Sequence, residues 1–321
     1  MSGADLSPAA VSTGTSRAGS RDRWTGMMWA ALAVSIFSGW FVVTRFSVTR
    51  ELRIWDITAL RFGIGAVLLA PVLIRNRARL SPAAWREGLL FALLWGMPFV
   101  LLVAFGLGLT SAAHAASITP TLMPLFAGLF AWVFHDERQG RKRWAGFAAI
   151  SAGLVLLVLG GAAVHGSPSP TGLGALAAAA AMWAVYTLLF RRSSLTPIES
   201  AALICFWSAA LFLPVYLLFG LSRFSQAPAA EIALQALYQG VLMSGVAIFT
   251  FNRAVSLLGS AAATAIIALI PAVASILAIP ALGEIPTTLE WAAIVIIVAG
   301  VLLASRPTAP TLQVKTQRSV P

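Results

Sequence analysis

The sequence predicts an all-α membrane protein: ten transmembrane helices in two inverted five-helix repeats. Three observations predict it. First, 59% of the 321 residues are hydrophobic and 10% are charged, with a mean hydropathy of +0.87, whereas a soluble domain carries about 25% charged residues. Second, apolar runs recur that reach the ~20 residues a helix needs to cross a bilayer. Third, the stretch AASITPTLMPLFAGLFAWVFHDE, from Ala115 to Glu137, returns as AATAIIALIPAVASILAIPALGE from Ala262 to Glu284. Pro124 answers to Pro271, Glu137 to Glu284, Trp144 to Trp291 and Gly153 to Gly300, each pair 147 positions apart. Proline, acid, tryptophan and glycine repeating at one offset mark an internal duplication.

In chain order, residues 1–23 are rich in Ser, Gly, Ala and Thr without an apolar core, and read as a disordered cytoplasmic tail. No cleavable signal is expected, because the first apolar run, from Trp24, is long enough to span. A first repeat, 24–163, holds spans at about 25–46, 56–74, 88–109, 112–134 and 144–163. Its third and fourth spans are separated by little more than Thr110 and Ser111, and the basic run ERQGRKR precedes the fifth. The seam HGSPSPT, from His165, leads to a second repeat, 171–306, with spans at about 171–190, 200–220, 234–255, 260–281 and 288–305. A polar tail, 307–321, closes the chain on the cytoplasmic side.

Orientation follows from the positive residues. With both termini inside, the cytoplasm receives the basic groups at 17–23, 75–86, 138–143, 191–192, 253 and 306–318, while the opposite side receives Arg50, Arg53 and Arg223. The formal net charge of +11 is therefore a topology signal and not a nucleic-acid footprint. The early parts of the halves also match, at an offset of 143: Trp40 with Trp183, Thr44 with Thr187, Asp56 with Glu199, Leu60 with Leu203 and Pro71 with Pro214. Five spans is an odd number, so the halves face opposite ways. Inverted repeats of this kind recur in secondary transporters, with the site near the midplane between them.

The second-helix sequence DITALRFGIGAVLLAP, the proline-to-acid fourth and ninth helices and the tryptophan-to-glycine fifth and tenth helices resemble the EamA-type ten-helix class of the drug/metabolite transporter superfamily, over about residues 25–306. The resemblance implies small-solute transport, commonly efflux of amino acids, related metabolites or drugs. It also implies a central cavity lined by helices one to four and six to nine. One departure stands out: Ile204 occupies the position where the first half has Arg61, so that charge has no quasi-symmetric partner.

Several residues are candidates for the chemistry. Arg61 is a charge inside a span, about 7.5 Å deeper than Asp56 at 1.5 Å per residue. It either snorkels back to Asp56 or Glu51 or faces the cavity and holds an anionic group such as a substrate carboxylate. Trp40, Trp95 and Trp183 sit within spans, away from the interfacial belt, where an indole packs on lipid or lines a cavity and offers its N–H. Thr121, between Pro120 and Pro124, and Asn252 add polar groups. Pro124 and Pro271 each remove a backbone donor in mid-helix, and their presence in both halves points to gating; kinking for packing is the alternative. Glu137 and Glu284 read as end-of-helix markers. The alanine runs and glycines such as Gly63 and Gly65 serve close packing. The lone Cys205 and the scattered His114, His135 and His165 form no metal pattern; no metal or other cofactor is expected.

The expectation is a secondary active transporter, an exporter, in a bacterial inner (cytoplasmic) membrane, moving small organic metabolites such as amino acids by alternating access. Its partners are a small-molecule substrate and the lipid bilayer, with coupling to a proton or ion gradient left open, no nucleic acid, and a monomer or homodimer as the assembly. A lipid-linked sugar translocase or a channel is the alternative; a membrane-embedded enzyme lacks the clustered His, Asp, Glu or Cys that it requires. The topology is testable with single cysteines placed near His165 and near Gly140 in a Cys205→Ser background. An impermeant thiol reagent applied to whole cells should label the first and spare the second, and equal labelling would overturn the ten-span inverted arrangement.

Overall fold

The structure, a computed structural model, describes residues 18–135, 140–165, 168–190, 192–258 and 260–304. Those residues form helices and their connections, with no strand among them. The first half comprises α1 (Ala18–Val48), α2 (Ile54–Arg75), α3 (Pro82–Trp95), α4 (Met97–Leu109), α5 (Ala112–His135) and α6 (Arg141–His165). The second comprises α7 (Pro170–Phe190), α8 (Pro197–Leu218), α9 (Ala229–Gln235), a π-wound segment (Ala236–Val246), α10 (Ala247–Leu258), α11 (Ser260–Leu282) and α12 (Thr288–Ala304). Eight helical runs are long and apolar enough to cross a membrane, with α3 and α4 counted as one and α9 continued through the π segment to Phe251. Two shorter apolar runs, Ile267–Leu282 and Thr288–Ala304, accompany them.

Helix starts are set by side chains that satisfy the free backbone donors of a first turn. Asp56 Oδ2 accepts from the backbone N–H of Arg53 at 2.9 Å at the head of α2. Glu199 Oε2 accepts from Thr196 N at 2.9 Å, and Thr196 Oγ1 accepts from Glu199 N at 3.3 Å, at the head of α8. Thr287 and Glu290 form the same reciprocal pair at the head of α12. The first two carboxylates also reach across. Asp56 Oδ1 accepts from Tyr216 Oη at 2.6 Å and from Arg223 N at 2.9 Å, both at the far end of α8. Glu199 Oε1 accepts from Asn76 Nδ2 at 3.0 Å and lies 3.8 Å from Arg79 Nη1, at the far end of α2. Each helix therefore begins where the other ends, so these equivalent helices of the two halves run antiparallel.

The remaining interfaces repeat under exchange of the halves. α1 packs on α10 and α11 as α7 packs on α4 and α5, α3 lies on α8 as the π segment lies on α2, and α5 meets α11. α6 and α12 pair with each other through small residues: a Cβ added at Gly146 would stand 2.8 Å from Ala304 Cα, and one added at Gly300 would stand 2.9 Å from Ile150 N. Without a hydrophobic driving force between helices in lipid, such close backbone approach is what packs them. Leu217, Leu218, Phe219, Val67 and Leu159 are exposed on the outer surface.

One expectation is corrected. α1 begins at Ala18, inside the stretch expected to be a tail through residue 23, because the polar residues before Trp24 continue the helix out of the apolar run. The third span, one apolar run over Pro82–Leu109, is interrupted at Gly96 between α3 and α4, where Pro98 cannot supply a backbone donor and Met97 N donates to Ser208 Oγ at 3.1 Å. The equivalent span of the second half is irregular as well, through its π segment. Pro124 and Pro271, by contrast, lie inside the unbroken α5 and α11.

The glycine contact between α6 and α12 gives a direct test. Gly146→Val should lower stability by roughly 1–3 kcal/mol, the usual cost of overpacking, read as a fall in the thermal midpoint in detergent. Gly174→Ala, on α7 with nothing within 4 Å of the new Cβ, should be neutral or raise stability by up to about 1 kcal/mol. Equal losses at both positions would show that the close contact is not what the glycine serves.

Candidate functional site

α2 carries Arg61 two turns into the protein, where the residue is 8% exposed. It does not turn back to Asp56, whose oxygens are taken by Arg53, Tyr216 and Arg223. The ion pairs among the described residues are Arg45–Glu284 and Arg79–Glu199, so no described carboxylate pairs with Arg61. Its guanidinium has aromatic rings for neighbours, with Cζ 5.2 Å from the Trp40 ring and 5.8 Å from that of Phe62, distances at which the ring quadrupole attracts a cation. Its one described side-chain hydrogen bond is long, from Nη1 to Gln239 Oε1 at 3.5 Å.

Gln239 comes from the π-wound segment. Its Oε1 also accepts from Trp40 Nε1 at 2.8 Å, while its Nε2 donates to Thr44 Oγ1 at 2.9 Å and to Gln235 Oε1 at 3.2 Å. Gln235 in turn donates to Val43 O at 2.6 Å and Ser47 Oγ at 2.8 Å. Ser244 Oγ donates within 3.4 Å of the Arg61 carbonyl and 3.2 Å of the Gln239 carbonyl. The close approach is possible because Gly65 has no side chain: a Cβ there would lie 2.7 Å from Ser244 Oγ and 2.9 Å from Cys205 Sγ.

From Trp40 a row of rings leads away from this polar end. Trp40 stacks on Phe99 at 6.4 Å, and Phe99 meets Trp95 at 6.3 Å and Trp183 at 6.1 Å. Trp95 lies parallel to Tyr186 at 4.8 Å and close to Trp183 at 6.1 Å, and Tyr186 continues to Phe91 and Phe190. The indole N–H of Trp95 is buried with no hydrogen-bond partner among the described residues. Such a donor is costly to leave unmade.

Four of the residues singled out in the sequence thus meet: Arg61, Trp40, Trp95 and Trp183. Thr121 is buried, but its hydroxyl donates to the carbonyl of Ser117 on its own helix. Pro124 lies about 18 Å from the start of α5, and Pro271 about 17 Å from the end of α11, at 1.5 Å per residue. Those two helix ends adjoin, since Glu284 Oε2 accepts from Ala112 N at 2.8 Å. The Asn252 side chain and Glu137 lie outside the described residues.

Glu284 does more than mark a helix end. It accepts from Arg45 Nε at 3.1 Å, and Arg45 Nη1 donates to Leu107 O at 2.5 Å, so α1, α4, α5 and α11 are tied together at one face. A cavity of about 410 Å³ opens there, lined by Arg45, Ser111, His114, Glu284 and Glu290. On the same face, Arg50, Arg53 and Arg223 line a second cavity of about 410 Å³. Sequence reasoning missed Arg45, Gln235 and Gln239. The available signals were an arginine near the end of the first apolar run and two glutamines four residues apart inside the eighth. Among the described residues no three His, Cys, Asp or Glu side chains cluster as metal ligands.

Comparison with known proteins now bears on the arrangement. Residues 24–159 and 170–306 each match the EamA-like transporter family. A probable terminal-alkyne amino-acid exporter from Streptantibioticus cattleyicolor is 34% identical over 202 residues, 61% of this chain and 65% of that protein. The uncharacterized transporter YdfC from Bacillus subtilis is 26% identical over 194 residues, 60% of this chain and 62% of that protein. The chain spans just under two thirds of the length of these curated relatives. A crystal structure of a protein 24% identical shares the fold at a TM-score of 0.62, over 88% of this chain and 96% of the other. With matches covering both halves and apolar helices that cross a membrane several times, the chain belongs to the EamA-like transporter family of the drug/metabolite transporter superfamily.

Proposed function

We propose that the protein is a secondary active transporter that exports small carboxylate-bearing organic solutes, amino acids and related compounds foremost, by alternating access between its two halves. The observation that carries this reading is the buried guanidinium of Arg61, which faces aromatic rings and a neutral amide and has no described carboxylate partner. A charge left unpaired in a protein interior costs several kcal/mol, and a solute carboxylate is the group that offsets this cost with charge-assisted hydrogen bonds. The rings from Phe99 through Trp95 and Trp183 to Tyr186 supply an apolar surface for the rest of the solute, with the Trp95 N–H as a polar contact within it. The printed name of the Streptantibioticus relative, an amino-acid exporter, is in keeping with this substrate class. On this reading ten helices span a bacterial inner membrane with both termini in the cytoplasm.

In proteoliposomes, Arg61→Ala should lower export of labelled amino acids by roughly 30-fold or more, the range for truncating one member of a buried hydrogen-bonded charge pair, with expression near normal. Arg61→Lys should recover part of the flux, since lysine keeps the charge but loses the planar fork. Full flux in both variants overturns the assignment. Flux that ignores every imposed ion gradient and never saturates would identify a channel instead.

The paired prolines belong to the gating part of the proposal. Pro124→Ala and Pro271→Ala should each stiffen one helix and shift the inward/outward balance in opposite directions. A shift of about 1.4 kcal/mol changes the population ratio tenfold, measurable as accessibility of a cysteine introduced into the cavity. Movement in the same direction, or none, would leave the prolines as packing features.

A further inference from the structure

We propose that Gln239 is a built-in stand-in for the solute carboxylate: its side-chain oxygen accepts from the two donors that a carboxylate oxygen would use, so a carboxylate binds by displacing it. The inference rests on the reading of Arg61 as the carboxylate contact. Two buried N–H groups from different helices, Trp40 Nε1 at 2.8 Å and Arg61 Nη1 at 3.5 Å, converge on this one neutral oxygen. The bond from Arg61 is at the outer limit of hydrogen-bond length, whereas a guanidinium donates to a carboxylate at about 2.7–2.9 Å. An arriving anion therefore gains more at Arg61 than the amide loses.

Displacement has a mechanical consequence, because Gln239 is also a rung in a ladder. Its Nε2 is bound to Thr44 and Gln235, and Gln235 is bound to Val43 O and Ser47. This ladder latches the eighth span, from the second half, to α1 of the first. Ser244 Oγ contacts the carbonyls of both Arg61 and Gln239, so the two residues are tethered to one hydroxyl. The next residue, Gly240, presses on α2, where an added Cβ would meet Ile64 at 2.6 Å. The backbone there has the wide i→i+5 winding of a π-helix over Ala236–Val246, an arrangement found often at functional sites and one hydrogen-bond register away from an α-helix. Solute at Arg61 thus loosens the contact by which one half holds the other.

The test uses detergent-purified full-length protein and a panel of the common L-amino acids with L-propargylglycine, each paired with its amide, read by calorimetry and by thermal shift. The wild type should bind at least one acid and reject its amide. Gln239→Glu places a fixed carboxylate on Arg61 and should weaken the acid at least tenfold; because it gives up the donations to Thr44 and Gln235, the thermal midpoint of the unliganded variant is read alongside to show that it is folded. Gln239→Leu removes the competitor and should tighten the acid by about tenfold, as expected when a competing state holds nine tenths of the population, with a larger ligand-induced thermal shift. Should Gln239→Leu fail to fold, Gln239→Ala takes its place with the same expected and overturning results. If both variants bind as the wild type does while Arg61→Gln loses the acid, the stand-in is wrong and the carboxylate site stands. Weaker binding by Gln239→Leu would make Gln239 a direct solute contact and also overturn the stand-in. Acid binding that survives Arg61→Gln, or wild type that binds no acid of the panel, overturns the carboxylate reading and the stand-in together.

Discussion

The antiparallel pairing of α2 with α8 is the contact on which the rest of the arrangement hangs. Each helix starts with a carboxylate, and each carboxylate is shared between its own first turn and the far end of the other helix. Hydrogen bonds to a charged group contribute about 1.5–3 kcal/mol apiece, and at a membrane boundary no competing water is needed to satisfy the first-turn donors. The two clamps come from one ancestral device used twice, since Asp56 and Glu199 hold equivalent positions. Once they set α2 against α8, the third span of each half is laid across the other half's second, and α1 and α7 each pack on the third and fourth spans of the other half.

A symmetric scaffold nevertheless carries an asymmetric site. Trp40 and Trp183 are equivalent by sequence, yet Trp40 gives its N–H to Gln239 beside a cation, whereas Trp183 packs on the ring of Trp95. Arg61 has Ile204 as its counterpart, buried and apolar. The third spans have diverged in the same sense: the first half contributes a break at Gly96 and an aromatic surface, and the second contributes a π-wound backbone and two glutamines. The two halves thus meet at a polar end around Arg61 and Gln239 and an aromatic end around Trp95 and Trp183. The proposed substrate class, with a charged head and an apolar body, would match that division.

The eight helical runs long and apolar enough to cross a membrane were legible because their signal is local. A run of some twenty apolar residues crosses a bilayer whatever its neighbours are, and the offsets of 143 and 147 exposed the duplication without any knowledge of contacts. Arg61 was legible as an anomaly, but its direction was not, since five residues of depth allow a guanidinium to reach out or in. What decided it was the engagement of Asp56 by Tyr216 and Arg223, residues some 160 positions away. Gln239 escaped notice for the same reason: in an apolar run an amide looks tolerated, and its meaning comes from Trp40 and Thr44 on a distant helix. The break at Gly96 is likewise invisible to hydropathy, which does not change where backbone hydrogen bonding does.

Two arginines of the first half, Arg45 at one face and Arg61 inside the bundle, are satisfied to different degrees. Arg45 is partly exposed and paired, with a carboxylate and a backbone carbonyl within 3.1 Å. A cation paired in this way holds helices together. Arg61 is more deeply buried and less satisfied, with two ring faces and one long bond to a neutral oxygen. The bond to Gln239 is long and charged on the donor side alone, whereas a carboxylate would bring the opposite charge and the shorter bonds of a charge-assisted pair. On the proposed reading that difference lets a carboxylate replace the amide and lets the amide return. A stronger resident acceptor, such as a glutamate, would fill the site permanently, and none at all would leave the cation to hold its solute or to destabilise the fold. On the proposed reading, a glutamine beside an arginine with no described carboxylate partner sits between those extremes, as binding and release together require.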